Sequence, residues 1–376
     1  MLLRLPSRER PMTLLGREDE RTLVAMRLAE GHVVIRGEAG VGKTTLLRAV
    51  LGDLRDRRRP VHDAVATRAA ASVPFGALLS LVPDDQSLAD PPAARQLLAQ
   101  LAKLGSQPVL AVDDAHLLDD PSAAVVFEAA RTGLATVILT VRSGEPLPDA
   151  IVSVWKDADA EVVELGALTI GEAGELLERH LEGRVEASTV ERLWLTSRGN
   201  PLFLRELVAG AERAGVLRSF EDTWVLSGDL PIDGRLSDAV MSTIGALSAD
   251  VRHVTELVAA GERIPLTVVE QLVDMDLLAR AEATGVIEVD TVAGIVAMAH
   301  PLYGEVLRLR MPNTRVRQLR ATLAQQHAPA GAAQVDPLLR AVWVLDGGGE
   351  VDTELFTEAA TSAVNLHQYE LSLIHI

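Results

Sequence analysis

Cysteine is absent from this chain of 376 residues. That excludes disulfides, zinc–thiolate centres and thiol nucleophiles, and it suits a reducing cytoplasm. Aromatic residues make up only 3%, too few for a surface that stacks on nucleic-acid bases. Lysine is nearly missing and occurs only at Lys43, Lys103 and Lys156. No apolar run approaches the roughly 20 residues of a membrane span. The N-terminal Met1-Leu-Leu-Arg-Leu-Pro6 is interrupted too early for a signal peptide. A soluble cytoplasmic protein with no membrane partner is expected.

What is present describes an ordinary globular chain, 48% hydrophobic and 24% charged. Its length allows two to four domains, each with a core. The net charge is −17, although residues 1–60 hold 13 Lys/Arg against 8 Asp/Glu. The rest is therefore strongly acidic, which disfavours nonspecific binding to nucleic-acid phosphates. The run Arg55, Arg57, Arg58 and Arg59 precedes Pro60 and reads as a solvated helix end, where cations suit the helix dipole.

The scarce lysine stands in a specific place. Gly37-Glu38-Ala39-Gly40-Val41-Gly42-Lys43-Thr44 fits G-x-x-x-x-G-K-[ST], after the apolar run Val33-Val34-Ile35 and before Thr45-Leu46-Leu47. Such glycines let the backbone turn tightly and aim its N–H groups at one point, and the following helix N-terminus extends that positive nest. ATP or ADP is the expected ligand. Lys43 is expected to reach the β- and γ-phosphates and Thr44 to offer its hydroxyl to Mg²⁺, while Thr45 continues the helix.

A second motif follows at the expected distance. Pro108-Val-Leu-Ala-Val112 has the character of a buried parallel strand and ends in Asp113-Asp114. Asp113 is assigned to Mg²⁺ and Asp114 to polarising the attacking water, although an acidic pair at a turn, taken alone, reads equally well as a cap. Asp120-Pro121 is expected to open a helix, with Asp120 as its cap. Thr140-Val141-Arg142 ends another strand, which places Arg142 as a γ-phosphate contact.

Alternating short apolar runs and helical patterns over the first 150 residues or so predict βαβ units. The strands expected are 33–36, 61–66, 109–112, 137–141 and 161–165, with their carboxyl ends gathered at the nucleotide. From Thr169 the pattern is helical, with helices at 172–181, 188–196 and 202–214. Further helices are expected at 238–246, 249–260 and 266–272, then a hairpin of 286–289 and 295–298, a set that suggests a winged helix. Residues 354–373 read as one helical repeat, and one repeat cannot bury its own face. The chain is accordingly expected to be a piece of something longer.

In order, Leu14-Leu15-Gly16-Arg17-Glu18, the Gly-rich loop, Asp113-Asp114-Ala115-His116-Leu117-Leu118-Asp119, Thr140-Val141-Arg142, Gly199-Asn200-Pro201 and Met298-Ala299-His300-Pro301 resemble the signal-transduction ATPases with numerous domains. Among these the resemblance is to the large ATP-binding LuxR-type transcriptional regulators of bacteria, over roughly residues 13–345. It implies an α/β P-loop NTPase domain with a parallel sheet at 13–167, after a tail at 1–12. A helical lid at 168–232, a winged-helix domain at 233–325 and the start of a TPR-like helical sensor region at 326–376 follow. It further implies that Gly16 and Arg17 line the adenine side, that Pro201 packs near the base and that His300 touches the β-phosphate of ADP. Such proteins rest with ADP, and an unidentified small-molecule or protein inducer together with ATP opens them to self-associate. DNA is then bound through a C-terminal helix-turn-helix, which these residues lack. The only candidate here for direct DNA contact is the set Arg308, Arg310, Arg315, Arg317 and Arg320, which could share one helix face. Two other readings remain: an AAA-type motor working in a ring, and a nucleotide-binding scaffold without useful hydrolysis.

Overall fold

The computed structural model describes residues 17–81, 93–245, 247–329, 331–350 and 353–365. The chain divides into two compact units, Met1–Pro231 and Ile232–Ile376. No helix among the described residues is long and apolar enough to cross a membrane.

The first unit opens with α1 (Glu18–Glu30), β1 (Val33–Gly37), α2 (Lys43–Asp56) and β2 (Val61–Val65). It continues with α3 (Ala93–Lys103), β3 (Val109–Asp113), α4 (Asp120–Arg131), β4 (Thr136–Arg142), α5 (Asp149–Asp157) and β5 (Glu161–Glu164). The five strands form one sheet in the order β2-β3-β4-β1-β5, every pair parallel. Each strand expected from the sequence is present, with ends shifted by a residue or so.

Strand periodicity explains the layering. Along β1, Val33 and Ile35 join a core with Val24 and Leu28 of α1 and Leu46, Leu47 and Val50 of α2, whereas Val34 faces a second core with Leu97 and Val126 from α3 and α4. Alternate side chains of a strand point to opposite faces, so a run apolar at every position has to be covered on both sides. The result is a three-layer α/β sandwich of the P-loop NTPase type. One cap differs from expectation. Asp119, not Asp120, caps α4: its carboxylate accepts from the Ser122 N–H at 2.9 Å and from the Phe75 N–H at 3.1 Å. Asp119 keeps the extended backbone that a cap needs, while Asp120 is already helical.

The arginine run at the end of α2 is exposed at Arg55, Arg57 and Arg58, as expected of a solvated helix end, and two of its members also bond to the sheet. Arg55 pairs with Asp63 at 2.6 Å, and Arg59 donates to the Thr136 hydroxyl at 2.7 Å. These bonds tie the helix end to the sheet.

A helical half completes this unit: α6 (Ile170–Leu181), β6 (Arg184–Val185), α7 (Ala187–Ser197), α8 (Pro201–Arg213), β7 (Leu217–Phe220) and β8 (Thr223–Leu226). A capping box starts α6, where Thr169 accepts from the Glu172 N–H and Glu172 accepts from the Thr169 N–H. Phe203, Leu204, Leu207 and Val208 of α8 are fully buried. The β7–β8 hairpin was not anticipated. It turns on Glu221 and Asp222, both at positive φ (47° and 62°), the conformation of the tight hairpin turns whose twist matches the strands.

The second unit contains α9 (Gly234–Ile244), α10 (Ala249–Gly261), β9 (Arg263–Pro265), α11 (Leu266–Val269), α12 (Met275–Ala283), β10 (Ile287–Asp290) and β11 (Ile295–Met298). It ends with α13 (Pro301–Arg310), α14 (Asn313–Ala324), α15 (Pro337–Gly347) and α16 (Thr353–Asn365). Its strands make an antiparallel sheet in the order β10-β11-β9. The helix expected at 266–272 is the short α11. Asp274 then caps α12, in extended backbone and accepting from the Asp276 N–H.

The five arginines do not share one helix. Arg308 and Arg310 belong to α13, and Arg315, Arg317 and Arg320 to α14. Four of them are committed inside the unit: Arg308 to the Ala259 carbonyl, Arg310 to Ser237 and Asp238, Arg315 to Glu256, and Arg320 to Asp346 and the Ala260 carbonyl. Ala246 and residues 366–373, which the sequence reading placed in helices, lie outside the described residues.

Candidate functional site

The Gly-rich loop joins β1 to α2 at the carboxyl edge of the sheet. Two of its residues are in the left-handed region, Gly40 at φ +77° and Gly42 at φ +104°, which side chains rarely tolerate. Gly37 is required for another reason, since a Cβ there would lie 2.5 Å from the Leu165 carbonyl oxygen. Val41 is buried, and Glu38 and Thr45 are exposed.

Lys43 is the first residue of α2 and only 7% exposed. Its ammonium donates to the carbonyls of Gly37 at 3.0 Å and Glu38 at 2.7 Å. Burial pushes its pKa down to about 8, against the opposing pull of the Asp114 and Asp113 carboxylates. Arg142 lowers it further.

Three strand ends meet here. The Thr44 hydroxyl donates to Asp113 Oδ1 at 3.1 Å. Thr140, fully buried on β4, donates to the same oxygen at 2.6 Å and accepts from the Asp114 N–H at 2.8 Å. One hydroxyl thus orients Asp113 and fixes the backbone of Asp114, which sits in the left-handed region at φ 55°. Asp is among the few side chains that adopt this conformation. Burial, and then the Asp113 charge, raise the Asp114 pKa, and His116, Lys43 and Arg142 pull the other way. Arg142 ends β4, mostly buried, with Glu145 at 3.5 Å. Burial lowers the His116 pKa.

Mg²⁺ prefers hard oxygens and keeps several waters, so it is usually bound by one or two carboxylates and by phosphates. The Thr44 hydroxyl and the Asp113 carboxylate suit that chemistry. A dedicated cage is not needed, and no group of three or more His, Cys, Asp or Glu that could hold a metal occurs among the described residues.

The helical half reaches this loop. Asn200 caps α8, its Oδ1 accepting from the Leu202 N–H at 3.1 Å, while its Nδ2 donates to the Ala39 carbonyl at 2.9 Å. Pro201 is the first residue of α8. Arg17 is buried at 6% exposure and donates to Glu20 at 2.6 Å and to the Gly166 carbonyl, in the segment between β5 and α6. Gly16 lies outside the described residues. His300 belongs to the second unit, where it caps α13 by accepting the Leu302 N–H on Nδ1 at 3.2 Å and lies 5.3 Å from the Tyr303 ring.

The structure therefore brings together Lys43, Thr44, Asp113, Asp114 and Arg142, with the loop that carries Gly37 to Gly42. Sequence reasoning missed Thr140 and Asn200 as parts of the site. Thr140 carried a signal, a hydroxyl inside an apolar strand run. Asn200 was legible as a helix cap before proline, but its reach to the loop was not.

Residues 26–143 match the AAA domain family. No curated protein sequence matches the chain. Among solved structures, Cdc6p from Pyrobaculum aerophilum is similar at 13% identity, covering 84% of this chain and 97% of that one with a TM-score of 0.44. A single-site variant of Thermotoga maritima RuvB is 18% identical over 81% of this chain and 99% of that one, TM-score 0.43. AMPPCP-bound DnaA from Aquifex aeolicus is 16% identical over 53% and 62%, TM-score 0.41.

Proposed function

We propose that this chain, whose residues 26–143 are an AAA-type P-loop NTPase domain, is a nucleotide-controlled switch that binds ATP with Mg²⁺ and hydrolyses it slowly. The observation that carries the reading is the linked set Thr44–Asp113–Thr140–Asp114 beside Lys43. It supplies a cation for phosphate oxygens, hard oxygens for a divalent ion and a carboxylate for water at one sheet edge.

In this mechanism the Gly37 to Thr44 loop cradles the phosphates and Lys43 neutralises the β- and γ-oxygens. Thr44 and Asp113 hold Mg²⁺, which when bound offsets the charge that develops on the phosphates. Asp114 accepts a proton from water as its oxygen bonds to the γ-phosphorus. The bond from that phosphorus to the β,γ-bridging oxygen breaks, leaving ADP and inorganic phosphate. Arg142 stabilises the charge on the transferring group. Asp114 is one methylene shorter than a glutamate and so reaches less far toward the attacking water, which favours slow turnover.

The placing of Gly16, Arg17 and Pro201 on the adenine side, and of His300 as an ADP contact, rests on the resemblance alone. So does the biological role we assign, the regulatory part of a bacterial LuxR-type transcriptional regulator. In that role an inducer and ATP promote self-association, and DNA is bound by residues outside this chain.

The first test is the nucleotide released when the purified chain is denatured, read by ion-exchange chromatography. Stoichiometric ADP is expected; no nucleotide together with fast steady-state turnover would overturn the switch. Asp114→Asn should retain ATP binding and lose turnover by about a hundredfold or more, the usual range for a general base. Lys43→Ala should abolish measurable binding, and His300→Ala should release ADP faster. The AAA match also favours a second reading, a ring-forming motor. Nucleotide-dependent hexamers on a sizing column would decide for it.

A further inference from the structure

The loop that would hold phosphate is itself held, and the holder is the start of α8. Asn200 Nδ2 donates to the Ala39 carbonyl at 2.9 Å, and the Leu202 N–H donates to the Gly40 carbonyl at 3.3 Å. The fit is close. A Cβ on Gly40 would lie 2.8 Å from Asn200 Oδ1 and 2.9 Å from Leu202 Cβ. Asn200 is only 6% exposed, and both ends of its amide are used, Oδ1 on its own helix and Nδ2 on the loop.

Peptide geometry gives these bonds a consequence. In a trans peptide the C=O and N–H point in opposite directions, and none of the described peptides is cis. Tying the carbonyls of Ala39 and Gly40 to α8 therefore turns the N–H groups of Gly40 and Val41 away from α8. An anion nest is built from successive N–H groups presented to one side, with a left-handed residue between them. Gly40, at φ +77°, is such a residue. Untied, each of these peptides could rotate, and ordering them would oppose phosphate binding.

We propose that Asn200 is a positioning residue that pre-orients the Gly40 and Val41 N–H groups toward the phosphates of a nucleoside di- or triphosphate. The seating of α8 thereby sets phosphate affinity. This inference rests on the nucleotide-binding reading above. It also makes the coupling reciprocal: phosphates that need these N–H groups hold α8 on the loop.

The test separates this role from capping. Asn200→Ser keeps a neutral, good N-cap side chain but is too short to reach the Ala39 carbonyl, whereas Asn200→Ala loses both interactions. Binding of ATP, ADP and adenosine to the full chain is measured by competition against a fluorescent nucleotide. Both variants are expected to bind ATP and ADP about tenfold more weakly than wild type, equivalent to about 1.4 kcal/mol, with adenosine unchanged. Wild-type ATP affinity in Asn200→Ser would overturn the proposal and leave Asn200 a helix cap. An equal loss for adenosine would also overturn it, because the effect would then not act through phosphate. A wild-type chain that binds no nucleotide would overturn the nucleotide reading itself, a result distinct from the other two. Should Asn200→Ala fail to fold, Asn200→Ser carries the comparison.

Discussion

Lys43 holds its charge where water is largely excluded, and the two loop carbonyls that accept from it do not fully replace hydration. Its pKa of about 8 expresses that deficit. Phosphate oxygens favour the charged form and so raise this pKa, which means that ATP binding near pH 8 takes up protons. Uptake should be larger at pH 8 than at pH 7. Calorimetry in two buffers of different ionisation enthalpy measures it, and proton release would contradict the Lys43 assignment. Thr140 offers a second residue-scale test. Thr140→Val preserves shape but leaves the part-buried Asp114 N–H without its acceptor, a loss of about 1 kcal/mol of stability by chemical denaturation. It also releases Asp113 from its shortest contact, so hydrolysis should slow more than ATP binding weakens.

Elements meet at Gly199, between α7 and α8. Its φ is +71°, and a Cβ there would collide with the backbone of Leu168. The same approach lets the Leu168 N–H donate to the Gly199 carbonyl at 2.8 Å and the Trp194 indole donate to the Leu168 carbonyl at 2.9 Å. Gly199→Ala therefore has two costs, left-handed strain and a backbone clash. We expect a loss of at least about 2 kcal/mol. Hydrogen exchange should show that loss first across α6, α7 and α8, with the five-stranded sheet still protected. Equal loss in both places would show that the helical half is not a separable layer of stability.

For the whole molecule, charge decides what it avoids. The net charge is −17, and Arg308, Arg310, Arg315 and Arg320 are engaged by carboxylates and carbonyls of their own unit, both of which oppose the counterion release that drives DNA binding. Gel-shift assays at 150 mM salt, about physiological ionic strength, should show no duplex binding by this chain. A micromolar complex with a steep salt dependence would return the arginines to consideration. The two compact units also set how stability should be measured, since a chain with more than one cooperative unit does not have one unfolding free energy.

Local grammar sufficed for much of this protein. The Gly-rich loop, the strand ending in Asp113-Asp114, the five strands and the proline-started α8 are each specified by neighbours within a few residues, through periodicity, φ preference and capping. The sequence thus determined by itself that a glycine-rich strand-to-helix loop and a carboxylate pair at a strand end would exist. Contacts between distant residues determined the rest. Thr140 meets Asp113 across 27 positions, Arg17 meets Gly166 across 149 and Asn200 meets Ala39 across 161. Nothing within a few residues of any of these names its partner. Strand order, which places β4 beside both β1 and β3, brings Thr140 between the two aspartates. The docking of α8 makes a helix cap into a holder of the loop. Those roles depend on which surfaces are buried together, and burial is a property of the folded chain as a whole.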